Sequence, residues 1–169
     1  MKLAFFGSGR VVEWQLELFK NSKYIHILGC YDSDKSVLQR ISDLGVHTFS
    51  SLDELISAKP DVIAISTPSD NHFSSFELID SMADKNCMIT IEKPTFLNQN
   101  DFARAFALIK ASRRKVFPIF QNRYNKAVKA TKDIIDSGAL GSLFHGNVTL
   151  SWCRPQRYYD QASWRGKWQ

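Results

Sequence analysis

Short apolar runs and amphipathic stretches alternate along most of this chain, and that alternation restricts the fold more than any other feature. "KLAFFG" reads as a buried strand closed by a glycine turn, and "VVEWQLELFKNS" carries apolar residues at helical spacing. "YIHILGCYD" is a second strand ending in an acid, and "SVLQRISDLG" a helix closed by Gly45. "VHTF" is a short strand, and "SLDEL" has the Ser-x-x-Glu form of a capping box. "PDVIAIST" is a strand broken by Pro68, and "HFSSFELIDSMADK" resumes helical periodicity. "CMITIE" and "KVFPIFQN" are two further strands around the helix "DFARAFALIKAS". Roughly six strands with helices between them predict a doubly wound parallel α/β sheet.

The pattern changes after Asn122, so residues 1–121 are taken as one domain and 122–169 as the start of a second α/β domain, incomplete in this chain. "AVKATKDIIDSGALG" predicts a helix with a glycine-rich stop, and "SLFHGNVTLSW" a strand with one wetter face. Hydrophobic residues make up 44% and charged residues 23% of the 169, so a metal- or disulfide-free core is feasible. Cys30, Cys87 and Cys153 show no C-x-x-C pairing, which argues against zinc and a disulfide framework and for a reducing cytosol. No run is long and apolar enough to span a bilayer, so the expectation is a cytoplasmic protein without a membrane partner. The formal charge of +5 is interleaved with acids, and no docking element for nucleic acid is recognisable. Arg113-Arg114-Lys115, the densest basic run of the first domain, reads as solvated surface.

Candidate chemistry gathers at strand ends. Gly7, Ser8, Gly9, Arg10 and Val11 form a turn between the first strand and its helix, where backbone can approach a pyrophosphate. Val12 replaces the third glycine of the full fingerprint, and a plain tight turn is the alternative reading. Asp32 ends the second strand, placed to bind the ribose hydroxyls of an adenosine, or else to serve as a turn acid. With Ser33 and Asp34 following and no arginine adjacent, NAD is favoured over NADP. Thr67 and Pro68 sit at the carboxyl end of the fourth expected strand. His72 begins the next helix, either as a cap or as a ligand contact. Glu92-Lys93-Pro94 lies on the same rim, where a lysine can polarise a substrate hydroxyl as hydride leaves. The alternative for Lys93 is a surface side chain paired with Glu92.

Taken in order, G-x-G, the acid Asp32, T-P-x-x-x-H and E-K-P resemble the Gfo/Idh/MocA family of NAD(P)-dependent sugar oxidoreductases. "RYNKAVKATKDIIDSGALG" extends the likeness, because the family follows its sixth strand with an arginine, here Arg123, a helix and a glycine turn. The resemblance implies a Rossmann domain, bound NAD and a sugar or nucleotide-sugar substrate. "RPQRYYDQASWRGKW" is similar to the loop of members that oxidise UDP-N-acetylglucosaminuronic acid at the 3-position in surface-polysaccharide synthesis. It implies that Arg154, Arg157, Tyr158 and Tyr159 meet substrate and that Trp164 and Arg165 lie against the cofactor. These aromatics packing under a second-domain sheet is the alternative. The family's usual base, in a D-x-x-x-H motif of the second domain, falls beyond Gln169, so this chain is expected to hold an amino-terminal part with incomplete catalysis. A non-catalytic NAD-binding or sensing module is the competing expectation. The edge of the second-domain strand, Val148 to Trp152, predicts a homo-oligomer.

Overall fold

Most of the expected strands form, because their β-branched and aromatic residues suit pairing with burial on both faces. The computed structural model describes residues 1–161 and Gly166. Its elements are β1 Lys2–Phe6, α1 Arg10–Phe19, β2 His26–Tyr31, α2 Lys35–Asp43, α3 Leu52–Ser57, β3 Val62–Ile65, α4 His72–Met82 and β4 Met88–Ile91, followed by α5 Gln99–Ser112, β5 Val116–Pro118, α6 Lys126–Asp136 and α7 Gln156–Tyr159. The chain divides into two compact units, Met1–Phe120 and Gln121–Gln169.

The first unit is a five-stranded sheet in the order β2-β1-β3-β4-β5, with every pair parallel. This is the Rossmann-like architecture that strand–helix alternation demands. Central β3 is buried at all its positions, which is why "VIAI" reads as a continuous apolar run. Phe76, Ile79, Ile63, Ile65, Ile89 and Ile91 pack on one side of the strands, and Phe5, Val12, Leu16 and Ile41 belong to a second cluster. Val12 is fully buried there. The missing third glycine is thus a packing residue in the helix–sheet contact.

Two expectations for the first unit change. "VHTF" contributes no strand but a single parallel bridge between Cys30 and Thr48. The backbone N–H of Cys30 donates to His47 O at 3.0 Å, and that of Phe49 to Cys30 O at 2.8 Å. Pairing stops there because the next residues are already committed to capping α3. Ser51 Oγ accepts from the Glu54 N–H at 3.1 Å. The Glu54 carboxylate reaches back one residue further than the capping-box pattern requires, accepting from Ser50 N and Ser50 Oγ, each at 2.7 Å. Those bonds from Ser50 hold the carboxyl below its ordinary range.

The second change concerns Arg114, which is not solvated surface. Its side chain is 1% exposed and meets Asp80 Oδ1 at 2.6 Å. Its remaining donors reach the carbonyl oxygens of Asp80, Ala83, Asp84 and Cys87 at 2.6–3.1 Å. All five guanidinium N–H groups are used, and they close the carboxyl end of α4.

In the second unit, Asn125 caps α6 by accepting from the Ala127 N–H at 2.9 Å. Gly138 and Gly141 end it in left-handed backbone, at φ 73° and 63°. The strand expected over 142–152 does not form; that segment has neither helix nor strand. A strand satisfies its backbone only against a neighbour, and among the described residues none pairs with it. No helix among the described residues is long and apolar enough to cross a membrane.

Candidate functional site

The sheet changes direction between β1 and β3, since β2 lies to one side of β1 and β3 to the other. Open α/β sheets bind ligands at the carboxyl ends of strands at such a switch point. Gly7 leaves β1 there. Its φ is +89°, and an added Cβ would stand 2.5 Å from Thr67 N, so only glycine lets the two loops meet. Gly9 serves differently. A Cβ on it would meet nothing within 4 Å, and it caps α1 without any side-chain hydrogen bond. No side chain caps the first turn of α1, whose Val12 N–H donates to Gly9 O at 2.9 Å, and the space above Gly9 is open to a bound anion.

Asp32 is fixed on both oxygens. Oδ2 accepts from the Ser8 N–H at 2.7 Å, and Oδ1 from the Asp34 N–H at 2.9 Å. The carboxylate therefore serves the turn before α2 and is also pinned beside the glycine loop. Each oxygen retains a lone pair for a diol. A crevice of about 280 Å³ opens here, lined by Phe6, Gly7, Tyr31, Asp32, Thr67 and Leu78, among others. The Phe6 and Tyr31 rings stack in its wall, 5.6 Å between centroids. Directly behind, Cys30 is fully buried. Burial pushes its thiol up to about 12; a Ser8 hydrogen bond opposes this and the Asp32 charge adds to it. It is a packing group, not a nucleophile.

Pro68 precedes a short 3-10 turn, Ser69–Asn71, that leads into α4. Thr67 Oγ1 lies 3.1 Å from Ser75 Oγ. His72 meets neither expectation made for it. It is 1% exposed, with Nδ1 at 2.7 Å from Pro94 O and Nε2 at 2.9 Å from Thr67 O. Both ring nitrogens face protein carbonyls, so the side chain neither caps α4 nor offers a hydrogen bond to the crevice.

Glu92 follows β4, its N–H donating to Ile65 O at 3.0 Å. Its Oε1 accepts from Gln15 Nε2 at 2.9 Å and its Oε2 from the Lys93 N–H at 3.2 Å. Lys93 is exposed, and among the described residues its ammonium forms no ion pair with Glu92 or any other acid. The Lys93–Pro94 bond is cis. Gln15 and Arg114 escaped the sequence reading. Gln15 left a trace, as a polar residue between Val12 and Leu16 on the buried side of α1.

Apart from Lys93, the residues assigned to substrate fall in the second unit, as do Arg123, Trp164 and Arg165, assigned to the cofactor. Arg123 lies in the turn Gln121–Tyr124. Arg157 and the two tyrosines form α7 with Gln156. The Arg154 guanidinium stands over the Tyr158 and Trp152 rings, 4.5 and 5.2 Å from their centroids. Tyr158 and Tyr159 meet edge to face at 5.3 Å. No sheet covers these aromatics among the described residues. Trp164 and Arg165 lie outside the described residues.

A wider hollow, of about 1000 Å³, opens beside Lys59, Asp61, Lys85, Cys87, Arg113 and Lys115. It lies at the amino ends of β3, β4 and β5, away from the rim where α/β sheets hold ligands. Among the described residues, no group of His, Cys, Asp and Glu could hold a metal ion.

A turn with room over an uncapped helix, beside a pinned carboxylate, fits a dinucleotide. The profile of the Gfo/Idh/MocA oxidoreductase family, described by its NAD-binding Rossmann fold, matches residues 1–120. The first unit is thus an NAD-binding Rossmann domain. Among solved structures, the WlbA dehydrogenase from Bordetella pertussis, in complex with NADH and UDP-GlcNAcA, is 25% identical with a TM-score of 0.86 over 98% of this chain and 50% of its own. The WlbA enzyme from Chromobacterium violaceum, with the same two ligands, is 24% identical with a TM-score of 0.87 over 99% and 49%. Myo-inositol 2-dehydrogenase from Lactobacillus plantarum is 23% identical with a TM-score of 0.70 over 83% and 42%. The chain spans about half the length of the solved structures it matches. No curated protein sequence matches it.

Proposed function

The chain belongs to the Gfo/Idh/MocA oxidoreductase family, and from that premise we propose that it supplies the cofactor-binding part of an NAD-dependent dehydrogenase acting on a secondary alcohol of a nucleotide sugar. The observation that carries this reading is the Asp32 carboxylate, held by the Ser8 amide beside the open Gly9 turn. Gly7, Ser8, Gly9, Arg10 and Val11 would cradle the diphosphate. Asp32 would accept from the ribose diol and repel a 2′-phosphate, which favours NAD over NADP. The bound nicotinamide supplies a hydride acceptor. Lys93 would orient the substrate hydroxyl and share in moving its proton.

The substrate class follows from the likeness to the two WlbA enzymes and from the second unit's chemistry. Arg154 and Arg157 suit a carboxylate or diphosphate, and Tyr158 and Tyr159 suit a sugar or uracil face. Arg123, Trp164 and Arg165 belong to the same proposal, on the cofactor side. A UDP-linked hexuronate on the way to a surface polysaccharide is the substrate of choice, handled in the cytoplasm. The residues Val148 to Trp152, though not a strand here, expose Val148, Leu150 and Trp152. They support a homo-oligomer built through the second unit, with no nucleic-acid or membrane partner.

One assay separates this reading from that of a non-catalytic NAD-binding module. The chain is mixed with NAD and UDP-N-acetylglucosaminuronic acid, and both binding and NADH formation are followed. Saturable sugar-nucleotide binding that Arg154→Ala weakens supports the dehydrogenase reading, with or without slow turnover. NAD binding with no sugar-nucleotide binding leaves the module.

A further inference from the structure

The turn that carries Lys93 is anchored on both sides of that residue by side chains from two other elements. We propose that Gln15 and His72 are positioning residues that together aim Lys93 at the cofactor crevice; this rests on the reading of Lys93 given above. On the amino side, Gln15 reaches from α1 and donates to Glu92 Oε1 at 2.9 Å, while the other carboxylate oxygen accepts the Lys93 amide. On the carboxyl side, the buried His72 ring stands 2.7 Å from Pro94 O and 2.9 Å from Thr67 O. Residues 92 and 94 are both held, and Lys93 stands between them with an exposed side chain.

The anchors lead back to the cofactor site. Gln15 belongs to the helix that the glycine turn opens, and Thr67 lines the crevice where Gly7 packs against it. The Lys93 turn is therefore registered against both walls of the switch point, while its side chain carries no ion pair among the described residues. Thr95 Oγ1, the next polar group along, is buried without a hydrogen-bond partner among the described residues. His72 between two carbonyls is also hard to replace. A neutral ring carries one N–H and the charged ring two, whereas leucine or phenylalanine offers none. A glutamine amide has two N–H donors on one nitrogen and cannot span two carbonyls on opposite sides of a ring.

The test is site-resolved lysine labelling of the 169-residue chain with an amine-reactive reagent, with and without saturating NADH, read by mass spectrometry. NADH binding is followed separately by fluorescence. In the wild-type chain NADH is expected to protect Lys93 about tenfold, the factor that 1.4 kcal/mol of contact provides, and to leave Lys85 unchanged. In Gln15→Met and His72→Gln, NADH still binds through the glycine turn and Asp32, but Lys93 protection falls to about twofold or less. Gln15→Met leaves the buried core intact, so the test stands even where His72→Gln does not fold. Full Lys93 protection retained in Gln15→Met overturns the proposal. NADH that binds the wild-type chain without protecting Lys93 removes the underlying reading of Lys93, a different result from the first.

Discussion

The two units of this chain treat their apolar residues in opposite ways. Met1–Phe120 buries Phe5, Phe76, Ile63, Ile65, Ile89 and Ile91 completely around its sheet. In Gln121–Gln169, Val128, Ile134, Leu140, Phe144, Val148, Leu150 and Trp152 are all exposed, Phe144 at 99%. The helix α6 has a clear apolar side yet buries no residue. The contrast shows what a parallel sheet needs. Each strand of the first unit finds a neighbour and a covering helix within 120 residues, whereas the second unit's apolar stretch finds no sheet to join among the described residues. The crevice lining described above, from Phe6 to Leu78, lies within the first unit.

Substitutions can break or sharpen that contrast. The largest effect is expected at Arg114. Arg114→Ala leaves the Asp80 carboxylate and four carbonyls around the end of α4 without their donors, at a cost of about 3–5 kcal/mol. A fall in the denaturant midpoint of the first unit checks this; a shift no larger than a surface variant's would mean the network is dispensable. Next comes Gly7→Ala, where left-handed backbone alone costs about 1–2 kcal/mol and the methyl group meets the Thr67 backbone. NADH affinity and melting temperature should fall together. Smaller still is Ser51→Ala, with about 1 kcal/mol lost with the cap of α3. At the bottom, Ile135→Ser in the second unit should change stability by no more than about 0.5 kcal/mol, as measured by denaturant titration. A larger loss would show that this face is covered in solution.

Cysteine chemistry tests the same contrast. Cys153 is exposed, whereas Cys30 and Cys87 are buried, with both buried thiols pushed upward by desolvation. A thiol reagent at neutral pH should modify Cys153 promptly and the other two only on unfolding. The sign of the pH effect follows. The unfolded Cys30 thiol ionises from about 9, and the folded one only near 12. Its contribution to stability is complete below 9 and is lost as pH rises towards 12.

The sheet and the glycine turn were legible because period and glycine placement report directly on backbone. "VIAI" cannot be anything but buried, and Gly7 announces a close approach. The acid at Asp32 was legible for the same reason, as the end of a strand next to that turn. What the sequence hid were contacts between residues far apart along it. Arg114 stands in a basic triplet that looks solvated, and only the folded chain shows α4's carbonyls converging on it. His72 read as a helix start, because nothing local reveals that Pro94 and Thr67 would flank its ring. "VHTF" has strand propensity, but Ser51's cap of α3 overrode it. The residues from 142 to 152 have strand composition without a partner, a condition no local pattern records.

The measurement that bears most directly on the central claim is a calorimetric titration of NAD and NADP into the 169-residue chain and its Asp32→Ala variant. The account predicts saturable NAD binding, tighter than NADP, and a preference that narrows or vanishes when Asp32 is removed. No binding of either cofactor, or equal affinities unaffected by Asp32→Ala, would contradict it.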